Sequence, residues 1–244
     1  MRAVTRGAGA RDPVWRLLWV VVGLASWAWL AALAQFWIDT TLGERFDAAL
    51  ASPLIHGLPW SVREALSWLA RPVLVVAAGV LAVALVLLAL RARRFRAALT
   101  AVLVPALSLV VLDRVDDGWA GLGTQSFPSG HAVAGYAVLV SVACVWPSSV
   151  RSARDSGPGE ALGQPGEAPG RRGAALGRWW APVLWVLGVV TITVGNVTMH
   201  AHLPGDVIGA ALLVTGVSGL LLGILAPRPV RGGSVGRRGT MVPP

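Results

Sequence analysis

Charge and cysteine are both scarce in this chain. Only 14% of its 244 residues are charged while 55% are hydrophobic, and long uninterrupted apolar runs recur along it, which excludes an ordinary soluble domain. The one cysteine, Cys144, lies inside an apolar run. An intrachain disulfide and a cysteine metal cluster are therefore excluded, and redox chemistry has no group to work with. Lysine is absent, so all 21 basic residues are arginine. The apolar runs lack period-2 alternation, which leaves helices rather than barrel strands to satisfy the backbone in lipid. No internal repeat stands out.

What is present is a series of six apolar runs, at residues 15–38, 72–90, 97–112, 129–146, 179–199 and 206–226. Each is near the length that crosses a ~30 Å hydrocarbon core as helix, the third being the shortest. The predicted fold is all-α, a six-transmembrane-helix bundle over residues 15–226. A cytoplasmic segment, 1–14, precedes it and a basic cytoplasmic tail, 227–244, follows. Ala32-Leu33-Ala34 before Gln35 resembles a signal-peptide cleavage site, but the run is long for a signal sequence and interrupted by tryptophan, so it is read as a span.

The arginines decide the orientation. Seventeen of them fall in the N-terminal segment and its junction with the first span, the 91–96 turn, the 147–178 loop and the C-terminal tail. Four, namely Arg45, Arg63, Arg71 and Arg114, fall on the other side among eight acidic residues, counting Asp206 at the mouth of the sixth run. The positive-inside rule then makes both termini cytoplasmic and leaves 39–71, 113–127 and 200–205 extracytoplasmic, as expected of a multi-pass protein of the cell (inner) membrane. This distribution accounts for the net charge of +9 without a nucleic-acid partner. Most of the 12 tryptophans lie at span edges or in flanking loops, as an aromatic belt requires. The 147–178 loop is rich in Gly, Pro, Ser and Arg and is predicted to be a disordered linker. Residues 46–50 and 62–69 mix apolar and charged positions at helical spacing, which predicts short interfacial helices.

Polar groups at membrane depth are costly, and here they concentrate on the extracytoplasmic side. Ser129, Gly130 and His131 follow Pro128 at the start of the fourth span, where free backbone N–H groups and the helix dipole attract anions. His202 and Asp206 straddle the start of the sixth, four residues apart, an arrangement of nucleophile and orienting carboxylate. These groups permit covalent phosphoryl transfer. A neutral His202 imidazole attacks phosphorus, Asp206 holds the other ring nitrogen's proton, and His131 protonates the leaving oxygen, while Ser129 and the Gly130 amide hold equatorial oxygens. No metal or cofactor is required. Taken alone, Ser129 is equally a helix cap. His200 is read as supporting or interfacial, His56 as inert, and Asp113, Asp116 and Asp117 as a solvated cluster.

Pro128-Ser129-Gly130-His131 and the H-x3-D spacing of His202 and Asp206 resemble the second and third motifs of the type-2 phosphatidic acid phosphatase superfamily of membrane enzymes. The resemblance implies a six-helix core, a lipid phosphate or pyrophosphate substrate, His202 as nucleophile, Asp206 as its partner and His131 as general acid. The family's first motif, a lysine and an Arg-Pro pair seven residues on, falls on the stretch from Leu112 to Gly121, where only Arg114 can serve. The Ser-Arg of the third motif is Gly195-Asn196 here. Arg114 and Asn196 are thus the remaining candidate substrate ligands, and the phosphate clamp is expected to be thin. The implied function is hydrolysis of a lipid phosphomonoester or pyrophosphate, polyprenyl pyrophosphate or phosphatidic-acid-like, through a phosphohistidine. The alternatives are a non-catalytic lipid-binding member of the same fold and a rhomboid-like serine protease using Ser129 and His202.

Overall fold

Leu, Val and Ala dominate the long runs, and in the computed structural model each run becomes helix. The structure describes residues 11–36, 40–119, 127–146, 170–199 and 202–225. Among these there are helices and no strands. They are α1 (Arg11–Phe36), α2 (Thr41–His56), α3 (Trp60–Trp68), a π turn (Leu69–Val73), α4 (Leu74–Arg91), α5 (Phe95–Trp119), α6 (Gly130–Val145), α7 (Gly170–Val197) and α8 (Pro204–Leu225). Four stretches are long and apolar enough to cross a membrane: Pro13–Gln35, Trp60–Arg91, Phe95–Val115 and Pro204–Leu225. Gly130–Val145 and Pro182–Val197 are shorter apolar helices, each 16 residues by its bounds and so about 24 Å long. On α4, Val76, Val80, Val83 and Leu87 recur at helical spacing and are each more than half exposed. An apolar stripe turned outward is the pattern of a helix solvated by lipid, so the chain has the helices of a membrane protein.

Element boundaries differ from the expected ones in three places. The segment before residue 72 is not a separate interfacial piece, because α3, the π turn and α4 form one helical run from Trp60 to Arg91. Pro72 has no N–H to give to the ladder, and the widened π turn around it takes up the irregularity. α5 continues past Leu112 to Trp119, and α7 begins at Gly170 rather than at 179. Residues 1–10, 147–169 and 226–244, which include most of the predicted linker and tail, lie outside the described residues, as does His200.

The core forms around α8. Leu213 and Val214 of α8, Val133 of α6, Ile192 of α7 and the Phe127 ring are buried together. α1 lies along α8 with the backbones touching: a Cβ at Gly219 would lie 2.9 Å from the Gly23 Cα. A Cβ at Gly209 would overlap the Phe127 ring. That glycine lets the residue before Pro128 sink against α8 and so brings the starts of α6 and α8 together.

Candidate active site

Two helix starts meet at this point. Pro128 precedes α6, Ser129 is its N-cap, and the Ser129 hydroxyl oxygen accepts from Ala132 N–H at 3.3 Å. Ser129 is fully buried, so the capping role is observed directly. Its own N–H donates to the Asp206 carbonyl at 3.2 Å, which ties the first turn of α6 to the first turn of α8. Pro204 opens α8, and the Asp206 carboxylate accepts from Leu203 N–H at 3.0 Å. A second carboxylate joins it: Asp47 of α2 accepts from Gly205 N–H at 2.8 Å and is itself buried. Two acidic groups thus satisfy backbone donors at the positive end of the α8 dipole.

His131 stands in the first turn of α6 and His202 just before α8, with ring centroids 6.3 Å apart and planes tilted by 49°. The His202 Nδ1 lies 3.8 Å from Asp206 Oδ2. This is ion-pair range rather than a hydrogen bond, and Nδ1 has no hydrogen-bond partner. His131 is exposed while His202 is partly covered. The structure therefore brings His131, His202, Asp206, Ser129 and the backbone of Gly130 to one mouth. Leu112 of α5 closes one side, 3.5 Å from where a Gly130 Cβ would stand.

The other sequence candidates are placed differently. Arg114 is exposed near the end of α5. Asn196 of α7 is fully buried, and its amide nitrogen donates to the Ile192 carbonyl on its own helix at 2.8 Å, leaving Oδ1 without a partner. α6 and α7 are joined nearby by the Tyr136 and Thr193 hydroxyls, 2.7 Å apart.

Two residues escaped sequence reasoning. Asp47 shares a buried stripe with Gly43, Ala51 and Ile55, and that spacing of four was the available signal: a carboxylate on the small, apolar face of α2. Arg71 acts electrostatically on His131, although by sequence it is only one of four extracytoplasmic arginines. Among the described residues no cluster of His, Cys, Asp or Glu is arranged to hold a metal ion.

Helices of membrane-crossing length, with a pair of histidines brought together at the starts of α6 and α8, define the class as a membrane protein with a histidine-lined mouth. Residues 119–228 match the model described as PAP2 superfamily, the family that the chain's second and third motifs resemble. Members of that family are generally phosphatases, and the match suggests a phosphorylated lipid as the substrate class. No curated protein and no solved structure matches the chain.

Proposed function

We propose that the protein is a lipid phosphatase that works through a phosphohistidine at the extracytoplasmic face of the cell membrane. The observation that carries this reading is the approach of the His131 and His202 rings to 6.3 Å beside Asp206. With Asp206 favouring the proton on Nδ1, His202 offers its other nitrogen as nucleophile. That nitrogen forms a bond to phosphorus as the bond to the lipid oxygen breaks, and protonated His131 gives its proton to the departing oxygen. Water then attacks phosphorus, His131 takes a proton from it, and the P–N bond breaks to release phosphate. The α6 first turn supplies N–H groups for the phosphoryl oxygens, with Ser129 and Gly130 at its start. Asn196, buried on α7, and Arg114, exposed near the end of α5, have no ligand role in this mechanism.

The substrate in this proposal is a phosphomonoester or pyrophosphate of a lipid, polyprenyl pyrophosphate or phosphatidic-acid-like, reached from the bilayer. The two shorter apolar helices complete a six-span bundle, with both termini cytoplasmic as the arginine asymmetry requires.

The test is phosphate release from such lipids by the full chain in detergent. Wild type is expected to turn over and to form an acid-labile phosphoenzyme, and His202→Ala to lose both, by about 10⁴-fold or more in rate. Equal release by wild type and His202→Ala defeats the proposal. A folded wild type with neither turnover nor phosphoenzyme identifies a non-catalytic lipid-binding protein instead.

A further inference from the structure

The α3 and π-turn segment covers the face of α7 on which the family's third motif would carry its serine. A Cβ at Gly195 would overlap the Leu66 carbonyl oxygen and Ala70, and Ala70 is wholly buried. Thr198, also buried, has its hydroxyl 3.5 Å from the Arg63 carbonyl. The residue after Ala70 is Arg71. Its Nε and Nη2 are buried and make no hydrogen bond among the described residues. Together with Ser67, Trp68 and Pro72, Arg71 lines a cleft of about 190 Å³, and its charge is felt by His131.

A partly buried guanidinium with two covered, unpaired nitrogens is expensive, since desolvated donors on a charged group lose their water without recompense. The oxygens of an anion restore those bonds, and a guanidinium fork matches phosphate geometry in particular. The cleft therefore has the wrong chemistry for an apolar tail and the right chemistry for an anionic headgroup. The π turn that carries Arg71 packs against α6, the helix whose first turn carries His131, which turns the cleft toward the histidine pair.

We propose that Arg71 is a phosphate ligand of this site, supplying from the π turn the guanidinium that α5 and Asn196 do not. The inference rests on the lipid-phosphatase reading for the lipid to which the phosphate belongs. A free phosphate ion offers the same chemistry, and the experiment separates the two.

The test measures equilibrium binding of radiolabelled orthophosphate to the full chain in detergent, followed by displacement with dioctanoyl phosphatidic acid. Wild type and His202→Ala are expected to bind. Arg71→Ala should weaken binding by about 10-fold to 100-fold, as the loss of charge-assisted hydrogen bonds implies. Arg71→Lys, which keeps charge without the fork, should fall between. Arg91→Ala, in the turn after α4, serves as the unchanged control. If Arg71→Ala does not elute as a folded protein, Arg71→Gln and Arg71→Lys decide the matter.

Binding by these variants equal to wild type overturns the inference, as does absence of binding by wild type. Displacement by phosphatidic acid but not by dioctanoylglycerol identifies the lipid headgroup as the occupant. No displacement overturns that assignment. Orthophosphate binding lost in Arg71→Ala from a protein without turnover sustains the Arg71 ligand and defeats the phosphatase reading. Turnover lost in His202→Ala but kept in Arg71→Ala does the reverse.

Discussion

Around the starts of α6 and α8, side chains are held mainly by near neighbours in the chain: Ser129 caps the N–H of Ala132, and Asp206 accepts from Leu203. Along the exit of α7, contacts with a distant segment join the local ones, with Thr198 reaching a carbonyl 135 residues earlier as well as that of Gly195, and Gly195 pressed against Leu66 and Ala70. The first region keeps its motifs and the second has lost them. Chemistry that depends on a helix start and an i, i+4 pair is written locally. Charge that only has to reach a phosphate oxygen can be delivered by any element that packs close enough.

After His202→Ala, replacing His131 by Ala gives the next largest change at the locally built mouth. Turnover should fall by about 10²-fold to 10⁴-fold, as expected for loss of a general acid, while orthophosphate binding by the same protein changes far less. A loss of binding as large as the loss of rate would erase the division between the two regions.

Gly195→Ser restores the family's residue on the packed side and, by the comparison above, should harm rather than help. The added side chain meets the Leu66 carbonyl, so a thermal-unfolding assay in detergent should show a loss of about 1–3 kcal/mol. An increase in activity would mean that α3 yields easily and that its contact with α7 is incidental.

Asp47→Ala removes the carboxylate that accepts from Gly205 N–H. A stability loss of about 1 kcal/mol is expected, read as a lower unfolding midpoint, with Asp47→Asn recovering much of it. An unchanged midpoint would show that α2 is dispensable for the start of α8.

Arg114→Ala should have the smallest effect, less than about fivefold in kcat/KM, because the side chain is exposed and an exposed charge interacts weakly. A loss matching that of Arg71→Ala would return the clamp to the end of α5.

Much of the site was legible from spacing alone. Pro128 followed by Ser-Gly-His predicts a capped helix start, and His202 with Asp206 predicts a pair on one turn. Both are found, with the pair at 3.8 Å rather than in hydrogen-bond contact because the carboxylate already serves Leu203. Asn196 shows the limit. Its amide was available to a substrate by composition, but the nearest acceptor lies one turn back, and it bonds to Ile192 instead. The boundary near residue 72 was hidden for a related reason. Proline reads as a helix start, but a π turn carries the chain helically through it, with Ala70 packed on α7.

The amino-acid sequence by itself determined the helical class, since apolar runs without alternation leave the backbone no other way to bond in lipid. It also determined the chemical pair at each helix start, since those contacts span only a few residues. Tertiary structure alone decided that the two starts share one mouth, through a glycine that admits Phe127 against α8. It alone decided that Asp47 meets the start of α8 and that the π turn carrying Arg71 packs against α6 and α7, because burial and the approach of distant groups depend on which helices pack together, and no local spacing encodes that.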